Sequence, residues 1–231
     1  MSAINSFEVI PGISLPTHDM RLNVVEDTVN FTSTPENAQA TLDGMSRYMH
    51  ENRILTITAG TSPTTLLIPL FFGPGQLRIQ TSGVVTFNSI YLSDCVNSRI
   101  EIVGPLILNA ANAAKLLVMN CLCSVIIRNS VNFHGGINTN ANNIGLFAER
   151  AKGGVYISGC GFNDQNICVL SNQQSVVSVG NLSGPGNNIA YLARNSGVIA
   201  EHSAVRPTAI TTRSVSTAGM IITEPGQIIG E

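Results

Sequence analysis

The chain has 231 residues, of which 44% are hydrophobic and only 11% are charged, and its formal net charge is -2. Proteins that bind duplex nucleic acid normally carry a basic surface, so 12 Lys and Arg residues in a weakly acidic chain argue against nucleic acid as a partner. The longest apolar run, residues 66–72, is too short to span a bilayer, so no membrane insertion is expected.

Residues 1–20 are predicted to form an extended N-terminal arm, because they contain two prolines and no sustained hydrophobic period. An arm of this kind is suited to docking on a partner, and a floppy terminus is the alternative. The segment lacks the basic start and the long apolar middle of a signal peptide. Synthesis in a cytoplasm, without export by the general secretory route, is therefore expected.

Residues 21–52 are predicted to hold a short strand at residues 22–25 and then the only helix of the chain. Thr34 suits the N-cap and Pro35 the first helical position. Before Asn52, apolar residues follow at helical spacing: Ala38, Leu42, Met45 and Met49. This stripe is expected to cover the open end of a stack of strands, which would otherwise be exposed to water.

From Arg53 onward the chain repeats, and the segments that begin at Gly154, Val176, Val198 and Met220 follow one another at intervals of 22 residues. One strand of each unit carries an inward pair or single residue: Leu55/Ile57, Leu77/Ile79, Ile100/Ile102, Val125/Ile127, Val155/Ile157, Val177/Val179, Ile199 and Ile221. A unit of this size cannot bury its apolar side alone, so successive units must stack.

Two further series of apolar residues repeat at about the same interval as the first. One contains Ile144/Leu146, Ile167/Val169, Ile189/Tyr191 and a looser continuation near Ile210. The other contains Phe87, Leu108, Phe133, Phe162, Leu182 and Val205. Three strands per turn and about eight turns predict an all-β parallel β-helix over residues 53–231, and Asn side chains at the turns are expected to bond between turns.

The five cysteines are odd in number and show no zinc-binding spacing: Cys95, Cys121, Cys123, Cys160 and Cys168. Cys95 and Cys121 occupy equivalent positions of neighbouring units and are interpreted as stacked core residues. A disulfide and a metal site are the alternatives. No metal ion and no other cofactor is expected.

The order of a helix-bearing cap, the segment RILTITAG from Arg53, and irregular units with Asn and Gly at the turns resembles a known family. That family is the pectate-lyase-like right-handed parallel β-helix of bacteriophage tailspikes and related virion appendages. The resemblance covers roughly residues 21–231 and contains no diagnostic motif. It implies a homotrimer, attachment to other virion proteins and, in many members, binding or cleavage of bacterial surface polysaccharide.

Glycoside hydrolysis needs two carboxyl groups about 5 to 9.5 Å apart. The candidate catalytic residues are Asp164, Glu149, Glu201 and His202. Alignment of the units gives none of the carboxylates a carboxylate partner, since Glu149 aligns with Asn172 and Arg194, and Asp164 suits a turn. Glu201 and His202 are interpreted as a structural pair. No catalytic residue is therefore assigned.

Residues 129–143 form the longest predicted excursion from the stack and rank first as a contact region, because loops often form the binding face of a solenoid. The candidate binding residues there are His134, Asn138, Asn140 and Asn142. The leading hypothesis is a structural subunit of a virion appendage that contacts a host surface glycan. A small polysaccharide depolymerase is the alternative, and an adhesin-like β-solenoid is the third.

The alignment makes two predictions about the surface. Arg78 and Glu101 should be outward-facing neighbours on adjacent turns, in a surface ion pair that contributes at most about 1 kcal/mol. Four outward apolar residues, Tyr91, Leu117, Ile126 and Tyr156, should be covered by a homotrimer, with loops or a neighbouring virion protein as the alternative.

Overall fold

The computed structural model describes residues 8–10, 13–14, 27–96, 98–136, 140–223 and 228–230. The protein is a β-solenoid of about eight turns, and of the described residues 58% lie in strands and 4% in one short helix. The predicted strand at residues 22–25 and most of the predicted arm lie outside the described residues. In the described part of the chain, no helix is long and apolar enough to cross a membrane.

The helix α1 is Ala38–Gly44. In chain order the strands are β1 (Glu8–Ile10), β2 (Ile13–Ser14), β3 (Thr28–Ser33), β4 (Asn52–Ile57), β5 (Gly60–Ile68), β6 (Gln76–Thr81), β7 (Val85–Ser93), β8 (Arg99–Val103), β9 (Leu106–Leu108), β10 (Ala114–Met119), β11 (Ser124–Arg128), β12 (Val131–His134), β13 (Ile144–Glu149), β14 (Val155–Ser158), β15 (Gly161–Asn163), β16 (Ile167–Asn172), β17 (Val176–Gly180), β18 (Asn187–Arg194), β19 (Val198–Glu201), β20 (Ala209–Ser216), β21 (Met220–Ile222) and β22 (Ile228–Gly230).

The strands form three faces around one apolar core. The first face runs β3, β4, β6, β8, β11, β14, β17, β19, β21 in parallel and ends with the antiparallel β22. Strand β7 spans two faces, because its first half pairs with β9 and its second half pairs with β10. The second face continues through β12 and β15, and the third through β13, β16, β18 and β20. Three strands per turn are therefore confirmed.

Most of the predicted register is confirmed. On the first face Leu77, Ile100, Val125, Val155, Val177, Ile199 and Ile221 pair in succession and are buried. The first predicted step is wrong, because Leu55 pairs with Ile79 and Arg53 pairs with Leu77. Arg53 is buried, and its guanidinium donates to the carbonyls of Ser46 and Tyr48. The first inward position is thus occupied by an arginine that ties the cap to the stack.

Two assignments in the other two series are also wrong. Gly161, and not Phe162, faces Ser183, so Leu182 aligns with Cys160. Val205 is 55% exposed. The continuation that was expected near Ile210 is found at Thr211, which lies opposite Ile189, while Ile210 itself is 85% exposed. The last turn of the solenoid therefore has fewer buried apolar residues than the sequence repeat predicted.

The predicted apolar stripe is buried against the core, although the helix is shorter than expected. All four residues of the apolar stripe are buried, but α1 starts after Asn37 and stops at Gly44, so Met45 and Met49 lie beyond it. The Gln39 side chain accepts from the backbone N–H of Leu67 (2.8 Å) and donates to the carbonyl of Leu67 (3.0 Å). These bonds satisfy backbone groups on β5 that would otherwise need water.

Asparagine side chains bond between neighbouring turns, as the sequence predicted. Four such contacts join Asn120 to Asp94, Asn140 to Asn112, Asn188 to Asn166 and Asn195 to Asn172, at 2.8 to 3.2 Å. The corner after the third face places a residue with positive φ in successive turns, namely Asp94, Asn120, Arg150, Gln173, Asn195 and Thr217. Asn and Asp adopt this conformation more readily than most residues, which explains their frequency at the corner.

Arg78 and Glu101 are paired neighbours, as predicted, but the pair is not a surface one. Glu101 faces away from the core and is nevertheless only 1% exposed. Its carboxylate lies 2.5 Å from Arg128 and 3.7 Å from Arg78, and it accepts a hydrogen bond from Gln76 (3.0 Å). Long side chains from both neighbouring turns therefore cover a carboxylate on the outside of the first face.

Candidate functional site

The predicted catalytic residues lie apart from one another. Asp164 is exposed at a corner with a φ of 56°, and Glu149 is half-buried between Met119 and Asn172 on the third face. Within the described residues, no strand register sets two carboxylates opposite each other. The described strands of one chain therefore do not bring two carboxylates opposite each other in the way that a glycosidase needs.

Glu201 does not pair with His202. Glu201 faces inward on β19 and is 4% exposed, whereas His202 is exposed. The carboxylate of Glu201 lies 2.5 Å from the guanidinium of Arg213 and 3.9 Å from that of Arg206. The nearby Tyr191 is also buried, and this burial, with the charge of Glu201, raises the pKa of its phenol. The C-terminal end of the core thus holds a buried carboxylate that is paired with two half-buried arginines.

The predicted contact loop is shorter than expected. Residues 131–134 form β12, in which Val131 and Phe133 are fully buried, so the excursion begins only after His134. His134 is exposed and lies opposite Asn163. Asn140 accepts from the backbone N–H of the exposed Asn142 (2.9 Å), while Asn138 lies outside the described residues. The loop offers polar groups on the surface.

A row of apolar side chains runs along the outside of the third face, and we call it the outer apolar row. Strand pairing brings together its six members, Leu67, Tyr91, Leu117, Phe147, Leu170 and Leu192. Leu170 is fully buried, Leu67 is 52% exposed, and the rest are half-buried. Ala114, Ile144, Ile167 and Ile189 pack beside the row. With turns about 4.8 Å apart, the row extends about 24 Å along the solenoid.

A groove of about 440 Å³ lies at the N-terminal end of this row. Helix α1 forms one wall with Gln39 and Asp43, and Leu67, Tyr91 and Leu117 form the other. The groove is mostly apolar, so it extends the outer apolar row toward the cap. Its position indicates that the cap and the third face present one continuous surface.

Tyr91 and Leu117 were predicted to face outward together with Ile126 and Tyr156. The outward orientation is correct, but the four residues do not share a surface. Tyr91 pairs with Leu117 on the third face, whereas Ile126 pairs with Tyr156 on the first. A contact surface on one face would therefore cover only one of these two pairs.

A row of buried polar side chains lies inside the corner before the third face: Lys115, Asn143, Gln165 and Asn187, all at most 3% exposed. The ammonium of Lys115 donates to Asn143 Oδ1, and Asn143 Nδ2 donates to the carbonyl of Asp164 (2.8 Å). Asn187 accepts from the backbone N–H of Gln165 (2.9 Å). Burial lowers the pKa of Lys115 to about 8.

Lys115 makes stability depend on pH. Its pKa is lowered from 10.5 to about 8 in the folded chain, so the unfolded chain binds more protons between those values. Its contribution to the free energy of unfolding therefore rises as the pH rises through that window. We expect the free energy of unfolding of Lys115→Met, measured relative to wild type, to be about 3 kcal/mol higher at pH 7 than at pH 10.5.

The measurement is urea unfolding of both proteins across that pH range. The difference in free energy of unfolding between the two proteins at each pH does not contain the titration of other groups. The lost contact with Asn143 shifts this difference by the same amount at every pH. The exposed Lys152→Met is the control and should show a constant difference from wild type. A constant difference for Lys115→Met as well would contradict a lowered pKa.

Comparisons of the chain with protein-family models, with curated proteins and with solved structures give no match. The class that the structure itself defines is a parallel β-solenoid of about eight turns. Its surface features are an outer apolar row, a polar loop and carboxylates that are separated or bound to arginines.

Proposed function

We propose that the protein is a structural subunit of a virion appendage that works as a homotrimer, with the outer apolar row at the contact between copies. The row carries the proposal, because soluble monomers rarely expose contiguous apolar patches of more than a few hundred Å². The virion assignment rests on the resemblance of the sequence to phage β-helices. The N-terminal arm of residues 1–20 would attach the trimer to other virion proteins.

Other copies of the chain are the occupants that best suit this face. The row is uncharged and runs along the solenoid axis, so copies placed side by side could contact its five accessible members, all but the buried Leu170. The rise of about 4.8 Å per turn is the same in every copy, so side chains from successive turns can interdigitate. A glycan would instead favour flat aromatic platforms with polar neighbours, and the chain has no Trp.

The arrangement of charges favours a structural role over an enzymatic one. Glu101 and Glu201 are each bound by two arginines, and neither is available as a general acid or base in that state. Glu149 and Asp164 are accessible but have no carboxylate partner in the strand registers of the described residues. Glycan contact is assigned to the loop with His134, Asn140 and Asn142.

Replacement of two half-buried residues in the row tests the assembly. We expect wild type to sediment as a trimer at micromolar concentration and Leu117→Lys/Phe147→Lys to sediment as a folded monomer. Two lysines that must lose water at a contact should weaken association by more than about 100-fold. Val84→Lys/Val205→Lys places the same two charges at exposed apolar positions outside the row and should remain trimeric. A wild-type monomer under these conditions would contradict the proposal.

The biological role needs two further experiments. Antibodies against the protein should label an appendage of purified virus particles in electron microscopy, and labelling of bacterial cells alone would favour the adhesin-like alternative. Incubation of the assembled protein with host capsule or lipopolysaccharide should release no new reducing ends and no unsaturated products. Release that is abolished by Asp164→Asn or Glu149→Gln would establish the depolymerase alternative instead.

A further inference from the structure

Three cysteine side chains converge inside the corner between the third and first faces, near the N-terminal end of the solenoid. Cys95 and Cys121 occupy equivalent places on neighbouring turns, joined by the bond from the Leu122 N–H to the Cys95 carbonyl (2.9 Å). Cys123 follows two residues later. The three Sγ atoms lie within 4.8 Å of one another, and none of the three residues is more than 3% exposed.

This arrangement is more specific than three buried thiols dispersed in a core. Cys160 and Cys168 are equally buried and free, yet they do not join the group. Phe71 lies opposite Cys95 on the preceding turn, and Ala151 lies on the following turn, and both are buried.

The geometry suits a metal ion with three sulfur ligands. With metal–sulfur bonds of about 2.3 Å, a planar three-sulfur site has sulfur–sulfur separations of about 4 Å, which the cluster accommodates. Among the described residues, no His, Asp, Glu or further Cys belongs to the group, whereas structural zinc sites are almost always four-coordinate. Thiolates select soft ions, Cu(I) among them, which accepts three-coordinate sites.

We propose that Cys95, Cys121 and Cys123 bind one Cu(I) ion per chain as a buried three-thiolate site. Binding replaces the thiol protons, which are released to the buffer, and involves no change of oxidation state. The site lies inside the fold and bridges two neighbouring turns through Cys95 and Cys121. Bound metal is therefore expected to raise the thermal stability of the N-terminal turns, since the unfolded chain does not hold the three sulfurs together.

The test is an anaerobic titration of the reduced full-length protein with Cu(I) in competition with a coloured Cu(I) chelator. We expect five free thiols before the titration and one tightly bound equivalent of Cu(I) at its end. Cys123→Ser and Cys121→Ser should each weaken binding by at least about 100-fold, the scale seen when a metal site is impaired. Cys160→Ser and Cys168→Ser are matched controls and should bind like wild type.

A second measurement uses wild type alone, in case a cluster variant fails to fold. Bound Cu(I) should protect Cys95, Cys121 and Cys123 from alkylation, as mapped by peptide mass spectrometry, and should leave Cys160 and Cys168 unaffected. The proposal is overturned if wild type binds no tight equivalent, if protection falls on other cysteines, if a disulfide joins two residues of the cluster in the purified protein, or if Zn(II) binds more tightly than Cu(I).

Discussion

Phe162→Ala is expected to lower the free energy of unfolding by about 3 to 5 kcal/mol, the range seen when a buried aromatic side chain is truncated. Phe162 is fully buried and stacks on Phe133 of the preceding turn, with ring centroids 4.4 Å apart and planes 4° from parallel. A Cβ on Gly145 would lie 2.4 Å from the same ring, so the surrounding backbone is already in close contact. The neighbours therefore have little freedom to fill the cavity.

The measurement is denaturant unfolding, combined with hydrogen exchange to locate the damage. Each turn of a solenoid contacts mainly its neighbours, so protection should fall in the turns that contain Phe133 and Phe162 and persist at the cap. Phe72→Ala is the control, because Phe72 is 42% exposed and should cost at most about 1.5 kcal/mol. Equal losses for the two variants would show that the Phe162 stack has no special role.

The sequence predicted the faces of most strands better than it predicted their partners. A shift of two residues preserves the inside and the outside of a strand, whereas a shift of one reverses them. The Leu55 and Leu182 assignments are each in error by two residues, so both residues are buried as expected but lie opposite other partners. Burial followed from the alternating pattern, while the partner depended on loop lengths that the pattern does not encode.

The internal polar and sulfur clusters could not be predicted because strict alternation fails at the start of the third face. Lys115 and Leu116 are adjacent and both fully buried, and Cys168 with Val169 repeats this arrangement two turns later. The chain bends there, so two successive side chains point inward. A period of two would have placed Lys115 outside, where a lysine is expected. The position of Cys123 beside Cys95 likewise depends on the corner.

The outer apolar row could be predicted in part. The spacings from Leu67 to Tyr91 and on to Leu117 follow the same register as the core residues beside them, and two of these three residues were identified as outward. The outward phase did not show that Tyr156 lies on a different face from these residues, because phase alone does not say to which of the three faces a strand belongs. The face to which a strand belongs can be assigned only when the positions of the corners along the chain are known.

The largest electrostatic effect is expected at the C-terminal end of the core, where Arg213→Leu should lower the free energy of unfolding by about 3 to 5 kcal/mol. The Glu201 side chain is 2% exposed, and Arg213 contacts it through Nε at 2.6 Å and a second guanidinium nitrogen at 2.5 Å. Without Arg213 the carboxylate stays buried with only the more distant Arg206, at 3.9 Å. A buried charge that loses its partner keeps the full cost of leaving water.

A double-mutant cycle separates this loss from the net value of the pair. Glu201→Leu/Arg213→Leu removes both charges and should be close to wild type in stability, because apolar residues often replace a buried ion pair without loss. Arg99→Leu, at an exposed position at the start of β8, is the control and should change stability by less than about 0.5 kcal/mol. If Arg213→Leu is as mild as that control, Glu201 does not depend on Arg213. If the double variant is as unstable as Arg213→Leu, the loss of stability comes from the packing of the arginine side chain and not from a Glu201 carboxylate without its partner.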